Sequence, residues 1–341
     1  MPFSFQDCIQ QLTSLELVSE DEIQAALANL PDEPEARSAE QLLRELVKQS
    51  KLTAHQARVV LEGRAKSLML GSYVVLDELG KGGMGEVFKA QHRLMDRVVA
   101  LKVVSGGLVQ SPDALQRFHR EVRAAAKLTH PNVVAAYDAA DVEGGHFLVM
   151  EYVDGHDLSS LVKKQGPLPL GQAVDCILQA ARGLEYAHQQ GVVHRDIKPS
   201  NLLLDRNGTV KILDMGLARI STDAAPGQVV AHQAELTSSG VILGTIDYMA
   251  PEQAQNTRLA DQRADIYSLG ITFYYLLTGR PAYGGDSLIS KLLAHQTHPI
   301  PVLQEVIPET PAALDDIFRK MVAKQPQDRY QTMTEVVAAL E

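Results

Sequence analysis

The run His194-Arg195-Asp196-Ile197-Lys198-Pro199-Ser200-Asn201 is followed, after a short apolar stretch, by Asp214-Met215-Gly216. It gathers two carboxylates, an ammonium and a carboxamide in a small interval of sequence. Asn201 and Asp214 offer the hard oxygen ligands that suit Mg²⁺ or Mn²⁺. Asp196 is suited to accept a hydroxyl proton and orient a nucleophile. Lys198 is suited to neutralise charge on a moving phosphoryl group. Phosphoryl transfer needs positioning and charge neutralisation rather than covalent help, and this set supplies both. Chance assembles such a constellation too rarely for a purely structural reading to compete.

Two further runs are weaker alone. Gly80-Lys81-Gly82-Gly83-Met84-Gly85-Glu86-Val87 lies between two predicted strands. Glycines let a backbone adopt positive φ and come close to a phosphate chain. An ordinary hairpin reads the same way. The run enters the strand EVFKAQ rather than a helix, which favours a flap over ATP to a dinucleotide fold. Val99-Ala100-Leu101-Lys102 buries a lysine in an apolar strand, a costly placement unless its charge has a partner. Glu121, in RFHREVRAAAKL, is the carboxylate expected to face it. Taken singly, a snorkelling lysine and a solvated glutamate explain the two residues as well.

The elements that must position these groups come in a clear order. YVVLDEL, EVFKAQ and RVVALKVV predict strands broken by Gly-rich turns, and Pro112 opens a helix running to about Leu128. Two more strands follow, VVAAYDA and HFLVMEYV, and beyond Leu158 the pattern is helical. Strands first and helices later predict an α+β fold with a small β-rich lobe and a larger α-rich one. The apolar stretch Tyr267 to Leu277 is too short to span a bilayer and predicts a buried core helix. Residues 1–66 read as all-helical. Ser19 with Glu22 and Thr53 with Gln56 form capping boxes. A shift of 34 residues lays Leu12 on Leu46, Ser19 on Thr53 and Leu27 on Leu61, with PDEP (Pro31 to Pro34) breaking the chain between. The segment reads as two helix–turn–helix hairpins; chance similarity between amphipathic segments would give the same pattern.

With these motifs in this order, the chain from about residue 73 to 341 resembles the eukaryotic-like serine/threonine protein kinases of bacteria. The resemblance implies a bilobal kinase fold, with an N-lobe at 73–153 that includes helix C and a C-lobe at 154–341. Residues 1–66 precede it as a helical segment and 67–72 as a linker. The fold would hold ATP in its cleft and transfer the γ-phosphate to Ser or Thr hydroxyls. Met150 then matches the gatekeeper, and Glu151 and Val153 the hinge whose backbone holds adenine. Asp157 matches a position near the ribose, and Val87, Ala100 and Leu203 match the apolar adenine sandwich. Gly80, Lys81, Gly82, Gly83, Met84 and Gly85 would cover the phosphates.

Glu252 of Ala250-Pro251-Glu252 would pair with Arg329, and Asp265 would hold the backbone of the His194-Arg195-Asp196 turn. Lys198 and Thr245 point to serine/threonine rather than tyrosine specificity. Arg195 would receive a phosphate from the polar stretch that contains Thr237, Ser238 and Ser239, implying autophosphorylation there. Two departures stand out: Met215 replaces the usual Phe, and Ser200 removes one support for a basic substrate preference. A nucleotide-binding pseudokinase scaffold and a small-molecule kinase are the competing readings. The first usually lacks a residue like Lys102, Asp196 or Asp214, and the second the HRDxKPxN form and the long segment ending in APE.

Composition narrows the setting. A net charge of −10 argues against nucleic acid as a general partner. Two cysteines, Cys8 and Cys176, form no disulfide framework and fit a reducing cytoplasm. The start MPFSFQDCIQ has no basic-then-apolar leader. Protein substrates are the expected partners, and residues 1–66 are the candidate for docking a partner or for self-association, without direct membrane insertion.

Overall fold

The computed structural model describes residues 4–30, 38–82, 85–104, 112–142, 145–215, 246–255 and 260–341. The chain divides into two compact units, Met1–Gly106 with Asp138–Tyr152, and Gly107–Tyr137 with Val153–Glu341.

The first unit opens with four short helices, α1 (Phe5–Ser14), α2 (Glu20–Leu27), α3 (Ala39–Lys48) and α4 (Ala54–Leu61). Each starts at a reciprocal capping box: Ser4 with Asp7, Ser19 with Glu22, Ser38 with Gln41, and Thr53 with Gln56. Each box satisfies two amides that a helix start leaves bare. The 34-residue offset recurs in the backbone. Glu16 and Ser50 both take left-handed φ values, 51° and 57°. The next residues, Leu17 and Lys51, donate to Leu12 O and Leu46 O, each at 2.9 Å. Cys8, Leu12, Ile23, Leu42, Leu46 and Val60 close a core that continues through Leu68 to Val75 of the sheet.

That sheet has six strands in the order β1-β2-β3-β4-β6-β5. They are β1 (Met69–Leu70), β2 (Tyr73–Gly82), β3 (Gly85–His92), β4 (Arg97–Val104), β5 (Ala136–Val142) and β6 (Gly145–Glu151). Residues 67–72 thus hold the end of a 3-10 turn and the short strand β1. Side chains alternate across a sheet. Ala90, Val99, Leu101, Phe147 and Val149 pack together on one face. Val87, Ala100, Lys102 and Met150 fall on the other.

The second unit carries α5 (Pro112–Ala125) and a small sheet of β7 (Gly155–Asp157), β8 (Leu202–Asp205) and β9 (Val210–Ile212). Its helices include α6 (Leu158–Gln165), α7 (Leu170–Gln189), α8 (Pro251–Gln255), α9 (Gln262–Thr278) and α10 (Leu288–Thr297). Every residue of α9 from Ala264 to Leu277 is buried, the state expected of a helix with no polar face. Gly270 permits its closest packing, since a Cβ there would stand 2.6 Å from Val322 Cγ1. The mixed α+β architecture read from the sequence is the one observed. No helix among the described residues is long and apolar enough to cross a membrane.

His295 of α10 is buried beneath Tyr283 and Lys324, and its Nδ1 lies 2.8 Å from the Tyr267 hydroxyl. Burial, with Lys324 and Lys291 nearby, pushes its pKa down to about 4. An unfolded histidine titrates near 6.5, so between those values the unfolded chain binds the extra proton. Stability therefore falls as pH drops from about 6.5 to 4, by on the order of 3 kcal/mol from this group. Denaturant midpoints at pH 7 and pH 4.5 will differ less in His295→Gln than in the wild type; an equal drop in both would refute the assignment.

Candidate active site

The strands of the first unit set the groups expected to face phosphate in register. Gly80 opposes Val87, Lys81 opposes Glu86 and Gly82 opposes Gly85 across the β2–β3 hairpin. Val87 opposes Lys102, and Ala100 opposes Met150. Directly opposed side chains share a face, and so do alternate residues of one strand. Val87, Ala100, Lys102 and Met150 therefore form one patch, with Ala100, Lys102 and Met150 buried. Lys81 is exposed and pairs with Glu86 at 2.6 Å, which raises its pKa. Glu151 ends β6. Gly83, Met84 and the Glu121 side chain lie outside the described residues, as do Thr245, Thr237, Ser238 and Ser239.

The second unit brings the other set together on one hydrogen-bonded loop. Asn201 Nδ2 donates to the Asp196 carbonyl at 2.7 Å and to Asp196 Oδ2 at 3.1 Å. Lys198 Nζ lies 2.9 Å from the same carboxylate oxygen. The Leu213 amide donates to Asn201 O at 2.9 Å, so the segment bearing Asp214 is fastened to the segment bearing Asn201. Asp214 takes a left-handed φ of 56°, a conformation uncommon outside glycine that clusters at functional positions. With its NH₂ spent on Asp196, the Asn201 amide keeps Oδ1 as its remaining donor atom to a cation. Together with the Asp214 carboxylate, it fits a hard divalent ion.

The turn before Asp196 hangs on one buried carboxylate. Asp265 accepts from the amides of His194 at 2.8 Å and Arg195 at 2.7 Å, and lies 2.8 Å from His188 Nε2. Burial alone would raise its pKa, but the His188 and His194 interactions outweigh that and hold it below the ordinary value. Arg195 takes φ 66°, and its guanidinium donates to Ala260 O. His194 Nε2 meets Leu213 O at 2.7 Å.

Three groups in this scaffold escaped the sequence reading. His188 braces Asp265, Gln253 Nε2 donates to Arg195 O at 3.0 Å, and Leu213 supplies both an amide and a carbonyl. A histidine on an apolar helix face was the available signal for His188; Gln253 and the Leu213 backbone gave none.

The remaining residues divide by role. Leu203 opposes Asp157 across β7–β8. Asp157 Oδ1 caps α6 by accepting from Ser160 N at 2.9 Å. Val153 is partly buried. Met215 is buried in the helical core.

Residues 73–339 match the family model described as Protein kinase domain. The chain is 38% identical over 273 residues to serine/threonine-protein kinase PknB of Mycobacterium leprae, covering 79% of this chain and 42% of that protein. It is 39% identical over 275 residues to serine/threonine-protein kinase Pkn1 of Myxococcus xanthus, covering 80% and 38%. It is 35% identical over 271 residues to serine/threonine-protein kinase PrkC of Bacillus subtilis, covering 80% and 40%. The chain thus spans about two-fifths of the length of these curated relatives. The crystal structure of the Mycobacterium tuberculosis PknI kinase domain is 28% identical, with a TM-score of 0.61, covering 80% of this chain and 96% of that one.

Proposed function

The chain belongs to the protein kinase family, and we propose that it is a serine/threonine protein kinase that transfers the γ-phosphate of ATP to protein hydroxyls. The observation that carries this reading is the loop on which Asp196, Lys198 and Asn201 are bonded to one another and locked to the Asp214 segment. Lys102, Asp196 and Asp214 are all present, which favours catalysis over a scaffold.

In this reading Asp196 accepts the hydroxyl proton of the substrate and orients its oxygen, and Lys198 offsets charge on the phosphoryl group. Lys102, with Glu121 as its carboxylate partner, steadies the ATP phosphates. Asn201 and Asp214 hold Mg²⁺, or Mn²⁺ in its place, and that cation supplies charge neutralisation when bound. Gly80, Lys81, Gly82, Gly83, Met84 and Gly85 pack over the phosphates. Val87, Ala100, Met150 and Leu203 take the adenine, Glu151 and Val153 offer it their backbones, and Asp157 takes the ribose. The kinase domain is residues 73–341, preceded by the helical segment 1–66. The substrates are proteins and the setting is cytoplasmic.

The decisive test is transfer of labelled γ-phosphate from ATP and Mg²⁺ to a generic basic protein and to the chain itself. Absence of transfer to either would remove the reading. Arg195 carries a guanidinium whose charge suits a phosphate dianion, although its Nε and Nη2 already donate to Ala260 O, and we take Thr237, Ser238 and Ser239 as the candidate acceptors of autophosphorylation. Phosphopeptide mapping after incubation with ATP will find label in this stretch. An active chain whose stretch stays unmodified would sink that assignment.

A further inference from the structure

Strand β2 is not regular where it leaves the helical segment. Val75 opposes Ala90 and Asp77 opposes Lys89, so Leu76 is an extra residue on β2. This is a β-bulge, a device that bends a strand and re-aims the residues beyond it. Four residues beyond Leu76 stands Gly80, directly after a second extra residue, Leu79, between Glu78 opposite Phe88 and Gly80 opposite Val87. On its other edge β2 is covered by β1 only at Tyr73 and Val74. Past Val74 the first turn of α4 takes over.

Gln56 Nε2 donates to Val75 O at 2.8 Å, and the Thr53 hydroxyl donates to Leu76 O. Both carbonyls of the bulge are thereby satisfied by side chains of one capping box. The same two residues close that box on themselves. Thr53 N donates to Gln56 Oε1 at 2.9 Å, and Gln56 N to Thr53 Oγ1 at 3.1 Å. Gln56 is only 4% exposed, so its amide is fixed at both ends. His55 of the same turn lies against Phe88 of β3, ring centroids 6.4 Å apart, and 4.0 Å from Asp77. Val75 itself sits in the core of the helices.

The repeat supplies a contrast. Ser19 and Glu22, at the equivalent positions of the first copy, form the same box but, among the described residues, meet outside it only Lys51, at 2.8 Å. Ser38 and Gln41 cap α3 in the open. Among the four boxes, the one that touches the sheet is the one with two main-chain carbonyls of β2 as partners. An N-cap needs no such partners for its own sake. Their presence points to a second task.

We propose that Thr53 and Gln56 are positioning residues: they clamp the β2 bulge, and so set the aim of the glycine-bearing end of the hairpin and the affinity for ATP phosphates. This rests on the kinase reading for the role of the glycines. It gives residues 1–66 a part in nucleotide binding that does not depend on any partner.

The test uses the full chain, with Gln56→Leu and Thr53→Val against Thr53→Ser, Ser19→Ala and Ser38→Ala. Loss of one such bond is expected to raise KM for ATP about three- to tenfold. The value of kcat at saturating ATP, and KM for the protein substrate, should stay as in the wild type. Thr53→Ser should restore KM, while Ser19→Ala and Ser38→Ala, which lose the same kind of cap, should not move it. An unchanged KM in Gln56→Leu and Thr53→Val, or an equal rise in the two control caps, overturns the clamp. If the wild type transfers no phosphate, it is the kinase reading that fails. Amide exchange across residues 76–82 then judges the clamp alone. Faster exchange in Gln56→Leu than in Ser38→Ala sustains it, and equal exchange overturns it.

Discussion

Asp196→Asn will lower phosphoryl transfer by about 10²–10⁴-fold, the range expected when a positioned general base is lost. The substitution keeps the size and shape of the side chain and removes its charge. Two neighbours are tied to that charge. Lys198 Nζ loses its partner at 2.9 Å, and Asn201 Nδ2 faces an atom that no longer reliably accepts, at 3.1 Å. The bond from Asn201 to the Asp196 carbonyl, at 2.7 Å, does not depend on the side chain and will hold the loop in place. ATP binding will therefore survive, because the substitution replaces none of the groups assigned to adenine or ribose. Measuring both labelled transfer and nucleotide affinity separates the readings. A variant that still transfers at more than about a tenth of the wild-type rate would deny Asp196 the role of base. A wild type that binds ATP and transfers nothing would favour the scaffold.

Much of this architecture was legible because its signals are local. The strand-then-helix order follows from period-two and period-three-to-four patterns. The burial of α9 follows from an apolar run with no polar face. Two capping boxes showed through their Ser/Thr and Glu/Gln spacing. The box at Ser4 takes its return bond from Asp7 rather than Glu or Gln, whereas the box at Ser38 with Gln41 carries the same legible spacing as the one at Thr53.

Other features depend on contacts distant in sequence, which no local pattern carries. His188 braces Asp265 across 77 residues, and Asn132 Nδ2 reaches the Val210 carbonyl across 78. The first β2 bulge is another such case: nothing in YVVLDEL marks Leu76 as an extra residue. Its placement is visible only once Ala90 and Lys89 are seen opposite Val75 and Asp77. Asp157 shows a third kind of limit. The resemblance sets it near the ribose, and the cap that one of its oxygens makes on α6 is a second task that the sequence does not mark.

Arg329→Met will destabilise the helical unit by about 3–5 kcal/mol, the cost of breaking a buried ion pair by removing one partner. Arg329 is among the largest fully buried side chains of the protein, 2% exposed. Its guanidinium grips Glu252 with two parallel bonds, Nη1 to Oε1 at 2.7 Å and Nη2 to Oε2 at 2.8 Å. The remaining donors meet main-chain carbonyls: Nε reaches Ala323 O at 2.7 Å, Nη1 reaches Arg263 O at 2.9 Å and Nη2 reaches Lys324 O at 3.2 Å. The Tyr267 ring lies 4.8 Å from the guanidinium carbon.

Methionine fills part of that volume and satisfies none of these acceptors. It strands the Glu252 carboxylate, which is only 17% exposed. Lysine will not rescue the site, since a single ammonium cannot reproduce the planar fork. Pairing Arg329→Met with Glu252→Gln should recover part of the loss, because the stranded charge is then gone while the carbonyls remain unmet. Denaturant midpoints of the three variants measure this directly. Arg329→Met within about 1 kcal/mol of the wild type would mean that the pair contributes no more than an exposed one. The loss will also reach the chemistry. Glu252 and Gln253 are neighbours on α8, and Gln253 holds the Arg195 carbonyl one residue before Asp196. Loosening the Arg329 anchor therefore frees the turn that carries Asp196 on the side that Asp265 does not hold.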